Sequence, residues 1–103
     1  MKLLAIDTST DYLNLAVING DEIIGRIHKV AKMSHSRLLV PAIDKLLKKT
    51  KLKLKDIDGF AVSIGPGSFT GLRIGVMTVK GLAYSLKKPI VTVLRLLRLG
   101  KAW

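Results

Sequence analysis

The dipeptide Asn19-Gly20 constrains this chain more than any other feature. Both positions tolerate positive φ, and they stand between the apolar runs Leu13 to Ile18 and Glu22 to Val30, so the pair predicts a tight two-residue hairpin. Upstream, Lys2 to Asp7 is a short apolar run suited to a buried strand, separated from the next by only a few residues. Connections this short join antiparallel neighbours, so three antiparallel strands lead the chain.

After Met33 the period changes. Leu38, Ala42 and Leu46, with Leu39, Ile43 and Leu47, lie on adjoining i, i+4 rows and predict a helix over about Ser36 to Lys49. Ser34 or Ser36 is placed to cap its start, lysines crowd its end, and Pro41 falls early enough to be tolerated. A polar connector, Lys51 to Lys55, closes at Asp56, and Gly59 to Ile64 reads as a fourth, buried strand. The loop SIGPGSFTGLRIG follows, Ser63 to Gly75, and then a second helix from Thr70 to Leu86. Lys87-Lys88-Pro89 ends that helix, because a residue before proline resists helical geometry. Ile90 to Val93 is the fifth strand. The order βββαβαβ predicts an α/β fold: one mixed sheet whose last strands are added in parallel by right-handed helical crossovers.

A length of 103 residues supports one small domain with a single core. With 49% hydrophobic but only 5% aromatic residues, that core is aliphatic. Cysteine is absent, which excludes disulfides, zinc–thiolate sites and thiol catalysis. The leading apolar run stops at Asp7, too soon for a signal-peptide core or a membrane span, so the expectation is a soluble cytoplasmic protein without a membrane partner.

The second helix is unusual. Leu72, Val76, Val79, Ala83 and Leu86 make one face, while Ile74, Met77, Leu82 and Tyr84 occupy other sides. A helix apolar nearly all round must be covered nearly all round, and one small sheet covers only one side. The formal charge of +11 concentrates in Lys45, Lys48, Lys49, Lys51, Lys53 and Lys55, and again in Arg95, Arg98 and Lys101. The lysine cluster reads either as a solvated helix end that complements the macrodipole or as a nucleic-acid contact. No aromatic residue interleaves it, so it offers no platform for stacking bases.

Two loops carry the candidate chemistry. Asp7-Thr8-Ser9-Thr10 follows the first strand, where an acid and hydroxyls could hold phosphate oxygens and a metal-bound water, or could satisfy their own backbone as a turn. In the glycine-rich loop, Gly65 and Gly67 permit unusual backbone angles, Pro66 stiffens the turn, and Ser68 or Thr70 can cap the helix. Gly71 and Gly75 lie one turn apart inside the helix, where each glycine costs about 1 kcal/mol relative to alanine, a cost that a close helix or strand approach would justify. The free amides could bind an anion, although the lysine of a GxxxxGK[ST] phosphate loop is absent.

Strand-end acid, hydroxyl turn and βββαβαβ order together resemble an N-terminal lobe of the actin, Hsp70 and sugar-kinase superfamily, the ribonuclease H-like fold. More narrowly, AIDTST at 5–10, HSRLLVP at 35–41 and GPGSFTGLRIG at 65–75 resemble the TsaB (YeaZ) family over roughly Met1 to Val93. That family is related to the TsaD, or Gcp glycoprotease-like, proteins. The resemblance implies a non-catalytic scaffold that binds no cofactor and supports threonylcarbamoylation of the adenosine beside the anticodon in tRNA. It implies a TsaD-like catalytic subunit as partner, a TsaE-like ATPase acting through the complex, a homodimer in isolation, and indirect contact with tRNA. It also implies that the glycine-rich loop leads into one of two docking helices, with Leu39, Ile43, Arg73, Val76, Met77 and Lys80 as candidate interface residues.

Metal-binding relatives carry a His-x-x-x-His pair on the first helix; here His35 is followed by Leu39 and His28 falls on the third strand, so no metal site is expected. The zinc motif, nucleophile and base of a peptidase are likewise missing. Full-length family members continue into a second lobe. This sequence instead runs from Val93 into a divergent tail, 94–103, which reads either as a frameshifted end or as a short helix packing Leu94, Leu97 and Trp103 on the lobe. The rival functional reading is the nucleotide-binding half of a sugar-kinase- or actin-like phosphotransferase that uses Asp7, Thr8 and Thr10.

Overall fold

The computed structural model describes residues 1–8, 11–32, 34–63 and 69–93. Strands β1 (Lys2–Asp7), β2 (Tyr12–Asn19) and β3 (Glu22–Val30) come first, followed by helix α1 (His35–Thr50), a 3₁₀ turn (Leu54–Asp56), β4 (Gly59–Ser63), α2 (Phe69–Leu86) and β5 (Ile90–Val93). They build one five-stranded sheet in the order β3-β2-β1-β4-β5. β1, β2 and β3 pair antiparallel, while β4 and β5 are parallel to β1, as the chain order predicts.

β1 is apolar because it is central. Leu4, Ile6, Leu15, Val17, Phe60 and Val62 form one buried sheet surface. α1 sets Leu39, Ala42, Ile43, Leu46 and Leu47 on it, and α2 adds Val79 and Ala83. On the opposite surface Ala16, Ala5 and Ala61 stand in one register row, joined by Ile18 in a second buried cluster.

The turns follow from local chemistry. Gly20 takes φ +64°, which lets the β2–β3 hairpin close, and a register shift falls between Val17 and Ile18. Ser34 occupies the N-cap position of α1 without a side-chain capping bond, so the capping expected of its hydroxyl is not made. At the other end Lys51 adopts φ 61°, and the Leu52 N–H donates to the Leu47 carbonyl at 2.9 Å. α2 ends the same way, with Lys87 at φ 56° and the Lys88 N–H donating to the Ala83 carbonyl at 2.9 Å. Both are left-handed helix ends, a conformation that glycine adopts at lower cost than lysine.

One polar tie locks the start of the chain. The Lys2 N–H donates to Asp58 Oδ2 at 2.8 Å, and the Asp58 N–H donates back to the Lys2 carbonyl at 2.8 Å. The backbone N–H of Lys2 holds the Asp58 carboxyl below its ordinary pKa, because that bond favours the charged form.

Candidate functional site

β1 and β4 run side by side and parallel, with Ile6 opposite Val62, so the segments that follow Asp7 and Ser63 leave from the same edge of the sheet. In open α/β sheets this carboxyl edge is where ligands gather. Asp7, Thr8 and Ser63 are buried there. Asp7 stands opposite Asn14, and Asn14 opposite His28, giving a polar row across three strands. His28 Nδ1 is hydrogen-bonded with Asn14 Oδ1, and the Tyr12 ring stacks on the imidazole with centroids 4.6 Å apart.

Thr8, just past the end of β1, meets helix α2 at Gly75. A Cβ on Gly75 would stand 2.4 Å from Thr8 Oγ1, so the second turn of α2 rests directly on the end of β1. Gly75 is therefore a packing glycine. Thr70 and Gly71 lie in the first turn of α2. Ser9, Thr10, Gly65, Pro66, Gly67 and Ser68 fall outside the described residues, so the expected phosphate turn and glycine-rich loop are placed only by their flanks.

The expected docking residues divide in two. Leu39 and Ile43 are 1% and 4% exposed and belong to the core. The apolar stripe that their i, i+4 rows define is the stripe the sheet itself requires, so they are unavailable to a partner. Arg73, Met77 and Lys80 point outward, and Val76 is half-buried at the margin. Gly81 and Tyr84 are absent from the docking residues expected from sequence. Both sit on the same outward stripe, four and seven residues beyond Met77, and that spacing is the signal that locates them. Met77 is 66% exposed and Tyr84 88% exposed.

His35 is buried at the start of α1, and among the described residues no three His, Asp or Glu side chains converge as a metal site would require. Lys45, Lys48, Lys49, Lys51, Lys53 and Lys55 are exposed around the end of α1, where Lys48 pairs with Asp44 at 3.0 Å. Among the described residues no helix is long and apolar enough to cross a membrane.

A three-stranded antiparallel meander, continued in parallel by two helical crossovers that both cover one face, defines a ribonuclease H-like lobe of the actin and Hsp70 class. A family model described as TsaD, tRNA N6-adenosine threonylcarbamoyltransferase, matches residues 19–99. The tRNA threonylcarbamoyladenosine biosynthesis protein TsaB of Haemophilus influenzae is 34% identical over 102 residues, covering 99% of this chain and 43% of the relative. TsaB of Bacillus subtilis is 41% identical over 93 residues, covering 90% of this chain and 41% of the relative. The solved structure of YeaZ from Pseudomonas aeruginosa superposes with a TM-score of 0.84 at 35% identity, covering 89% of this chain and 43% of that one. The chain belongs to the TsaB (YeaZ) family, within the wider TsaD-like group. It spans less than half the length of these relatives.

Proposed function

We propose that this chain is a non-catalytic scaffold lobe that docks on a TsaD-like subunit and thereby supports threonylcarbamoylation of the anticodon-adjacent adenosine of tRNA. The observation that carries the reading is the outward stripe of α2, where Met77 and Tyr84 stand in solvent on a helix already packed against its own sheet. Exposed apolar side chains gathered along one helix face mark an interaction surface, whereas isolated ones do not. On α1, Val40 is also 61% exposed. Without the TsaD-like subunit, the same two helices associate in an isologous dimer. A TsaE-like ATPase reaches the chain through the complex, in the cytoplasm, and tRNA touches it only indirectly.

The test is a reconstituted reaction containing a TsaD-like subunit, a TsaE-like ATPase, the threonylcarbamoyl donor and tRNA, with modified adenosine measured by mass spectrometry. Modification should depend on adding this chain and should fall at least tenfold with Met77→Asp. Equal modification without the chain would contradict the proposal.

A further inference from the structure

Both α1 and α2 end on a lysine in the left-handed region, Lys51 at φ 61° and Lys87 at φ 56°. Glycine fills that position with less steric strain. At each end the backbone makes the closing bonds: the Lys51 N–H donates to the Leu47 and Lys48 carbonyls, and the Lys87 N–H to the Tyr84 carbonyl at 3.3 Å. The lysine side chains are therefore not needed for capping. Nor does the macrodipole of α1 require Lys51, since Lys48 and Lys49 already stand in its last turn. Strain that recurs at two helix ends points to a use for the side chains it carries.

The two ends share one place. α1 and α2 each cross from the carboxyl edge of the parallel strands back to the amino edge, where β1, β4 and β5 begin. There the Asp58 N–H donates to the Lys2 carbonyl, and the Phe60 N–H to the Pro89 carbonyl at 3.0 Å, which ties the three strand starts together. The Lys2 N–H leads in lowering the Asp58 pKa, and the charges of the N-terminus, Lys88 and Lys2 add to it. Cations from separate segments thus converge on this edge. Lys48, Lys49, Lys53 and Lys55 are exposed beside Lys51. The acids nearest them are tied down, Asp44 by Lys48 and Asp56 by the Lys53 N–H at 2.8 Å. Leu52 and Leu54, the apolar residues between the lysines, pack against the core, so the surface presents cations in place of apolar anchors.

That composition selects the occupant. Protein interfaces centre on apolar and aromatic anchors, whereas a phosphodiester backbone is held by cations alone. We propose that the amino edge of the sheet, from the end of α1 to the end of α2, binds the phosphate backbone of RNA, with Lys51 and Lys87 among its contacts. The affinity belongs to the lobe itself and is blind to sequence, because backbone contacts carry no base information. It goes beyond the docking reading and does not rest on it. The docking reading gives tRNA no direct contact with the chain; this surface adds one that any RNA can make. Met77 lies about 15 Å along the helix from Lys87, so the two surfaces are separate.

The experiment is fluorescence anisotropy of a labelled RNA stem-loop titrated with the chain across a sodium chloride series, with flotation of phosphatidylglycerol vesicles run in parallel. The wild type should bind the RNA, and its affinity should fall at least a hundredfold between about 50 and 200 mM salt. Lys51→Gly/Lys87→Gly should be more stable than wild type in urea yet bind RNA at least fivefold more weakly at low salt, with a salt slope smaller by about two. Lys51→Gln/Lys87→Gln should lose as much binding without the gain in stability, which separates charge from backbone. Lys29→Gln/Lys32→Gln, which removes two exposed cations at the opposite edge, should bind within twofold of wild type. An equal loss in that control would reduce the effect to net charge and overturn the inference. So would a wild type that binds no RNA, both Lys51/Lys87 variants binding within twofold of wild type, or binding to the vesicles without binding to RNA. Each of these leaves the docking reading standing.

Discussion

Thr8 and Gly75 meet so closely that a methyl group has no room between them: a Cβ at position 75 would lie 2.4 Å from Thr8 Oγ1. Thr8 is fully buried at the end of β1, so its side chain has little space in which to turn aside. The contact seats α2 on the sheet and fixes where the outward stripe points.

Gly75→Ala should accordingly destabilise the fold by about 1–3 kcal/mol, the usual range for overpacking, although alanine is the better helix former. Chemical denaturation would measure this. In Thr8→Ala/Gly75→Ala the clash is relieved, so the double variant should lose less than the sum of the two single changes. A Gly75→Ala protein more stable than wild type would refute the contact.

The helix ends should respond in the opposite sense. Lys51 and Lys87 hold φ of 61° and 56°, where an L-residue pays a steric penalty. Lys51→Gly and Lys87→Gly should each stabilise by roughly 0.5–1 kcal/mol, read as a higher urea midpoint at unchanged slope. Lower midpoints would mean that the lysine side chains contribute more than the backbone strain costs.

Much of the fold is legible in the order of the residues. The strands follow from short apolar runs, and α1 and α2 begin within one residue of where periodicity puts them; the hairpin turn lies one residue later than Asn19-Gly20 suggests, since Asn19 pairs with Glu22 and Gly20 and Asp21 make the turn. Periodicity does not say which side of a helix the sheet will claim. That is why Leu39 and Ile43, correctly placed on an apolar stripe, belong to the core and not to a docking face. Nor does it separate the helical glycines: Gly75 is crowded and Gly81 open, a difference that depends on residues far away in the chain. The Asp58–Lys2 tie has no local pattern at all, since its partners are 56 positions apart.

That tie gives a pH dependence with a definite sign. The folded-state pKa of Asp58 is lowered from 3.8, so the stability it contributes is present above that value and is lost as pH falls through the lower, folded-state one. Asp58→Asn should therefore be less stable than wild type at pH 6, with the gap narrowing as the pH drops below about 4. Denaturation midpoints at several pH values would check it, and a gap that widens in acid would reverse the assignment.

Any tRNA binding by the isolated chain should be electrostatic. Lys48, Lys49, Lys51 and Lys53 are exposed around the end of α1 and have no aromatic neighbours in sequence to stack a base. Replacing these four by Gln should weaken binding to all RNAs alike and reduce the salt slope by about one for each phosphate left without a cation. Filter binding across a salt series would show this. Tenfold preference for one tRNA, or binding that persists in molar salt, would require a different surface.

The central claim is that this lobe works by presenting α2 to a TsaD-like subunit, and sedimentation of the two proteins together tests it most directly. The wild-type chain should comigrate with the TsaD-like subunit in a stoichiometric complex. Met77→Asp, which alters an outward side chain, should fold normally yet bind at least tenfold more weakly. Failure of the wild-type chain to comigrate, or comigration of Met77→Asp with undiminished affinity, would contradict the claim.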